Sequence, residues 1–157
     1  MAAAVCRVRT NMSSTPKDDR HDLQRFVDAQ DDDGIYRQAL TELLAGHKRS
    51  HWMWFVFPQI AGLGNSPTAK HYAISSLDEA RAYLGHPVLG PRLVECAHAV
   101  LEHPDQSAAA ILGETDAMKL RSSMTLFARA DPGEWVFQRV LDRYFGGAPD
   151  SATNERV

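Results

Sequence analysis

The segment His51-Trp52-Met53-Trp54-Phe55-Val56-Phe57-Pro58-Gln59 combines polar groups with the largest apolar side chains of the chain. So much apolar surface must be buried in a soluble protein, and we expect His51, both indoles and Gln59 to be buried with it. A histidine among buried aromatic rings is a candidate acid or base, and Trp52 or Trp54 could stack on a planar ligand. The alternative is a core histidine that is hydrogen-bonded to a backbone carbonyl.

A glycine-containing loop, Gly62-Leu-Gly64-Asn-Ser66, precedes Pro67 and is a candidate anion site. Glycines let a ligand approach the backbone, and the first N–H groups of a helix favour negative charge. The predicted ligand-binding residues are those of this loop and of the aromatic segment, with one nearby cation: Lys48, Trp52, Trp54, Gln59, Gly62, Gly64 and Ser66. The alternative is a plain turn in which Ser66 only caps a helix.

The pattern Asp116-x-x-Lys119-x-x-Ser122-Ser123 places an ammonium and two hydroxyls on one helix face. Such a face could hold a phosphate or carboxylate, or activate a nucleophile. We therefore predict Lys119, Ser122 and Ser123, together with His51, as catalytic candidates. The alternative is a solvated face whose hydroxyls bond to the carbonyl one turn earlier. The seven histidines and two cysteines form no recognised zinc pattern, so no metal is predicted, and the sequence leaves any cofactor unknown.

Composition narrows the classes of function. The 157 residues carry a formal net charge of −3, which argues against a nucleic-acid partner. No run of apolar residues is long enough to span a membrane. Cys6 and Cys96 are far apart, which favours free thiols in a reducing cytoplasm. The sequence leaves the oligomeric state open.

Helical periodicity runs through most of the chain. Ser66-Pro67 and Ser76-Leu-Asp-Glu79 are typical helix starts, and Gly46 is a typical helix end. Residues 52–57 alone could be a strand, and we expect a buried helical turn or an extended core segment there. The sequence predicts an all-α, multihelical single domain with about seven or eight short helices. It would comprise a disordered extension (1–20), a helical domain (21–147) and a polar tail (148–157).

Five segments together resemble the bacterial family called domain of unknown function 1810: Asp22–Gln30, His51–Gln59, Gly62–Gly64, Leu89–Leu93 and Lys119–Phe127. The resemblance covers about residues 22–150. It implies a small, mainly helical cytoplasmic protein, and it supplies no established activity or catalytic residue. Members are sometimes labelled calpastatin, a disordered inhibitor. The helix caps and apolar faces of this chain argue against that label.

Two hypotheses of function follow. In the first, the domain binds a small anionic ligand, such as a nucleotide or a phosphorylated metabolite, and catalysis stays open. This hypothesis requires Lys119 to meet His51 and Gly64 in one concave pocket. In the second, the protein is a non-enzymatic interaction module. It would then have Lys119 and His51 paired internally and an apolar patch on its surface.

Overall fold

The computed structural model describes residues 19–157, and every regular element in this range is helical. The elements are α1 (Gln24–Asp31), a 3-10 turn (Asp32–Gly34), α2 (Ile35–Ala45), α3 (Met53–Val56), α4 (Pro67–His71), α5 (Leu77–Gly85), α6 (Leu89–Val100), α7 (Ala108–Leu112), α8 (Glu114–Ala130), α9 (Val136–Phe145) and α10 (Ser151–Asn154). The predicted all-α, multihelical single domain is confirmed. Within the described range, extended pairing is limited to one isolated parallel bridge between Ile60 and Ile74. Most of the predicted extension, up to residue 18, lies outside that range.

Helix α8 lies at the centre of the fold and packs against α5, α7, α9 and α10. Its inward face carries Leu120, Met124 and Phe127, all fully buried. The spacing of these side chains, one every three to four residues, is the periodicity that predicted a helix here. No helix between residues 19 and 157 combines the length and apolarity that crossing a membrane requires.

Side-chain caps set several helix starts as predicted. The Ser66 hydroxyl accepts from the Ala69 N–H over 3.1 Å, and the Ser76 hydroxyl accepts from the Glu79 N–H over 3.1 Å. The aspartate that caps the start of α1 is Asp19 and not Asp22. Asp22 has a left-handed backbone (φ +53°), and the Asp19 carboxylate accepts from the first N–H groups instead.

The aromatic segment forms the single helical turn α3, which confirms the prediction of a buried helical turn there. Trp52 is fully buried, whereas Trp54 is half-buried. The expectation that His51 is buried was wrong, because this residue is exposed. Ser50 and Trp52 both turn inward to hydrogen-bond to Glu42, so His51 between them points to solvent.

The C-terminal residues differ from the predicted polar tail. Residues 148–157 contain α10, which packs on α8 and fully buries Thr153. Asp150 caps this helix by accepting from the Thr153 N–H over 3.0 Å and from its hydroxyl over 2.6 Å. The Asp150 N–H also donates a hydrogen bond to the Thr125 hydroxyl on α8, over 2.9 Å. The segment is therefore part of the packed domain.

Candidate functional site

A groove of about 460 Å³ lies between the chain from Trp54 to Ala69 and helix α8, next to the start of α10. We call it the Lys119 groove. Its lining includes many of the predicted site residues: Trp54, Gln59, Gly64, Ser66, Lys119 and Ser122. The remaining wall is formed by Leu63, Asn65, Ala69, Thr115, Met118, Asp150 and Ala152. Its volume and its mixture of apolar and polar walls are typical of small-molecule sites.

Lys119 lies over the indole of Trp54. Its Nζ atom is 5.0 Å from the ring centroid, which is within the range of a cation–π interaction. The lysine side chain remains 25% exposed, so the ammonium can still contact a ligand. The sequence placed these two residues in separate motifs, and the fold brings them together on one wall of the groove.

Asp116 is shared by two lysines. Its Oδ2 is 2.9 Å from the Lys48 Nζ, and its Oδ1 is 3.6 Å from the Lys119 Nζ. Lys48 also donates to the Ser50 carbonyl over 2.6 Å, and only 8% of its side chain is exposed. Lys48 is thus held internally and does not line the groove. The two ammonium groups carry two positive charges and the Asp116 carboxylate carries one negative charge, so one positive charge remains. Lys119 is the more loosely bound of the two lysines, because its contact with Asp116 is the longer one.

Ser122 connects the groove to the C-terminal segment. Its hydroxyl lies 3.2 Å from both the Met118 carbonyl oxygen and Oδ2 of Asp150. Because Ser122 follows Lys119 by three residues, Asp150 contacts α8 about one helical turn beyond the position of Lys119. The groove therefore presents a cation and a carboxylate on neighbouring parts of the same wall.

The two glycines and Ser66 of the loop have structural roles. A Cβ atom on Gly64 would be 2.6 Å from the Cβ of Ala69, so only glycine fits against α4 at this position. Gly62 has a φ of +99°, a backbone conformation that residues other than glycine rarely adopt. The Ser66 hydroxyl is occupied by its cap. These residue types are explained by packing and turn geometry.

Several predicted residues lie outside the groove: His51, Ser123, Lys48, Trp52 and Gly62. Trp52 is fully buried in the core and cannot offer its ring to a ligand. Ser123 is also fully buried, and its hydroxyl has no hydrogen-bond partner among residues 19–157. His51 is exposed and lies outside the groove, so the requirement that Lys119 meet both His51 and Gly64 in one pocket is met for Gly64 and not for His51. The groove thus contains four of the seven predicted binding residues and two of the four predicted catalytic ones.

Sequence reasoning missed Glu42, a buried carboxylate on α2. Its Oε1 accepts from the N–H groups of Arg49 and Ser50 and from the Trp52 indole, over 2.8, 3.0 and 2.9 Å. Its Oε2 accepts from the Ser50 hydroxyl over 2.6 Å. Burial raises the pKa of Glu42, but these hydrogen bonds outweigh burial and lower the pKa to about 2. Its position beside Leu43 on the apolar face of α2 was a signal in the sequence that this carboxylate is buried.

Asp150 was missed because it stood in the predicted tail, although the spacing Asp150-x-x-Thr153 is typical of a helix cap.

Among residues 19–157, no group of three or more His, Cys, Asp or Glu side chains is arranged to hold a metal ion.

The fold and this groove define a small all-α domain organised around one central helix. Residues 20–157 match the family described as "Protein of unknown function (DUF1810)", and the chain belongs to this family. The resemblance inferred from the sequence is thereby confirmed.

One similar solved structure is that of the conserved hypothetical protein Rv1873 from Mycobacterium tuberculosis. It shares 53% sequence identity and superposes with a TM-score of 0.83, over 85% of this chain and 94% of the other. No curated protein matches the chain.

Proposed function

We propose that the protein binds a small ligand carrying an acidic group in the Lys119 groove. The observation that carries this proposal is the position of the Lys119 ammonium, 5.0 Å from the centre of the half-buried Trp54 ring in the groove wall. An anionic group of the ligand would pair with Lys119, because Asp116 is already engaged by Lys48. The apolar part of the ligand would lie against Trp54 and Met118.

Amide groups in the wall support the proposal. The side-chain amides of Gln59 and Asn65 line the groove, and neither makes a hydrogen bond to another of the residues 19–157. Unengaged amides can both donate to and accept from a ligand. They would orient a bound molecule, which is the usual role of the few polar groups in a small-molecule site.

The carboxylate of Asp150 limits which ligands fit. A molecule with negative charge throughout would be repelled by Asp150, which lines the same groove and contacts Ser122 on α8. A ligand that bears hydroxyl or amino donors besides its acidic group would satisfy both ends. Nucleotides and phosphorylated sugars have this combination, and their size suits a groove of about 460 Å³.

The proposal covers binding and includes no reaction. Lys119 and Ser122 are the catalytic candidates that line the groove. The Ser122 hydroxyl bonds to Asp150, and the predicted base His51 lies elsewhere on the surface.

A thermal-shift screen of the full chain against nucleotides, sugar phosphates and amino acids tests the proposal, since a ligand that binds only the native state raises the melting temperature. We expect at least one compound to stabilise the wild type and to lose most of this effect in Lys119→Gln. The matched control is Arg139→Gln, because Arg139 also lies 5.0 Å from a tryptophan ring, that of Trp135, outside the groove. Absence of any stabilising compound, or equal stabilisation in Lys119→Gln, would contradict the proposal.

The second candidate is a protein-interaction module. Large apolar side chains are more than half exposed at Leu44, Met118 and Trp135, on or beside three different helices. Met118 also lines the groove, so an apolar partner segment could occupy the same surface. If this second candidate is correct, a partner protein should bind the wild type and should bind Met118→Gln weakly. The small molecules of the screen should then leave the melting temperature unchanged.

A further inference from the structure

The chain between α2 and α3 has two faces of different character. Residues 47–52 form no helix or strand, and their side chains alternate: Lys48, Ser50 and Trp52 turn inward to ion pairs and hydrogen bonds. His47, Arg49 and His51 are exposed. The inward contacts thus fix a row of basic side chains on the outer surface. This row is separate from the Lys119 groove, whose lining contains none of its members.

A second groove, of about 550 Å³, opens where this row meets α2. We call it the Arg37 groove. It is lined by Gly34, Arg37, Gln38, Thr41, Glu42, Ala45, His47 and Arg49. Two arginines and one histidine therefore line one concavity on the surface.

Neither guanidinium in the Arg37 groove has a partner among residues 19–157. The side chains of Arg37 and Arg49 make no hydrogen bond and no ion pair in that range, and both residues are exposed. Arg25 and Arg92 behave differently, since each forms an ion pair of 2.8 or 2.9 Å and further hydrogen bonds. Arginine is therefore used structurally elsewhere in this fold, and the pair in the Arg37 groove has no such use.

The one acidic residue of the lining does not neutralise this pair. Glu42 accepts hydrogen bonds at both carboxylate oxygens from Ser50, Trp52, Gln38 and the Arg49 backbone N–H. None of these donors is a guanidinium. With His47 neutral, the lining carries two positive charges and one negative charge, so a net positive charge faces the solvent.

We propose that the Arg37 groove binds a phosphate group, either free or as a phosphate monoester. A guanidinium donates through a planar fork that matches the spacing of carboxylate or phosphate oxygens. One arginine can satisfy the two oxygens of a carboxylate. Two arginines with an imidazole offer more donors than a carboxylate can accept, whereas the three terminal oxygens of a phosphate can use them. This site is independent of the ligand proposed for the Lys119 groove.

Titrations of the full chain, followed by NMR in a phosphate-free buffer, test this proposal. The probes are inorganic phosphate, O-phosphoserine as the monoester, and acetate as a carboxylate control. On addition of phosphate, we expect saturable changes in the NMR chemical shifts of the Arg37 and Arg49 Nε–H groups and of the His47 backbone N–H. Binding of the monoester more tightly than inorganic phosphate would assign the ligand as a phosphate ester, and the reverse order would assign it as the free ion.

Variants connect binding to the two arginines. The double substitution Arg37→Gln with Arg49→Gln should weaken phosphate binding by about tenfold or more. Arg37→Lys with Arg49→Lys retains the charge but loses the forks, and should bind with intermediate affinity. Arg139→Gln is the matched control and should bind phosphate as the wild type does, whereas Lys119→Gln reports on binding in the other groove. Because Arg37 and Arg49 are exposed and unpaired in the described range, their replacement should leave the circular dichroism spectrum unchanged.

Three results would overturn the proposal. The first is equal affinity of the wild type for acetate and phosphate. The second is unchanged phosphate binding in the double glutamine variant. The third is a loss of phosphate binding in Lys119→Gln, which would place the phosphate in the other groove while leaving the proposed function intact.

Discussion

The indole nitrogen of Trp52 donates a hydrogen bond to Oε1 of Glu42 over 2.9 Å, and both groups are buried. This contact joins the aromatic segment to α2 and provides the buried indole with the partner that it requires. It also helps to hold the chain between them against α2. Arg49 and Ser50 add their N–H groups to the same carboxylate oxygen, so one acidic side chain sets the path of that segment.

Replacing Trp52 by phenylalanine should lower the free energy of unfolding by about 2–4 kcal/mol. The substitution removes a hydrogen bond to an ionised group and leaves a small cavity in the core. The matched control is Trp54→Phe, because the Trp54 indole is half-buried and has no hydrogen-bond partner among residues 19–157. That variant should change stability by less than about 1 kcal/mol. Urea unfolding of both variants checks the prediction, which fails if their effects are equal.

Stability should fall at acidic pH partly through Glu42. Its folded-state pKa of about 2 lies below the ordinary value of 4.5, so the unfolded chain binds a proton more readily. Glu42 makes its full contribution to the free energy of unfolding well above pH 4.5. This contribution is lost as the pH falls from about 4.5 towards 2. Its full size is on the order of 3 kcal/mol. In Glu42→Gln, the slope of unfolding free energy against pH over this interval should be smaller; an unchanged slope would contradict the assignment.

Lys48 and Asp116 should behave as a coupled pair. Lys48→Met leaves the Asp116 carboxylate with only the longer contact to Lys119 and should destabilise the protein by about 3 kcal/mol. The double variant Lys48→Met with Asp116→Leu removes both charges and should recover much of that loss. A double-mutant cycle measured by chemical unfolding gives the coupling energy. Additive losses would show that the 2.9 Å ion pair contributes little.

The adjacent serines of α8 should respond in opposite directions to alanine. Ser123 buries a hydroxyl that has no partner among residues 19–157, so Ser123→Ala should be neutral or should stabilise the protein by up to about 1 kcal/mol. Ser122→Ala removes the hydrogen bond to Asp150 and should destabilise it by about 1 kcal/mol. Melting temperatures of the two variants, compared with wild type, check this difference. Destabilisation by Ser123→Ala would indicate a partner for its hydroxyl.

The helices and several of their ends could be predicted because they depend on nearby residues. The spacing of Leu120, Met124 and Phe127 sets the buried face of α8, and Ser66 and Ser76 cap helices through N–H groups three residues away. The same local rule placed Lys119 and Ser122 on one helix face. These parts of the candidate site were therefore accessible from spacing alone.

The remaining parts depend on contacts between distant residues. The spacing of sequence motifs does not reveal that Lys48 pairs with Asp116, or that Trp54 lies beneath Lys119. His51 was predicted to be buried because its neighbours are aromatic. It is exposed because Glu42, on another helix, turns Ser50 and Trp52 inward. A buried carboxylate missed in the sequence thus accounts for the misplaced histidine.

The packing of α10 against α8 has a practical consequence for protein engineering. Asp150 and Ala152 form part of the groove wall, the Arg156 side chain lies over Gly62, and Val157 packs against the core. A purification tag or fluorescent fusion joined directly after Val157 would therefore begin inside a packed surface, beside the groove that the ligand assays examine. For those assays, an affinity handle that follows Val157 needs a spacer long enough to leave these contacts undisturbed.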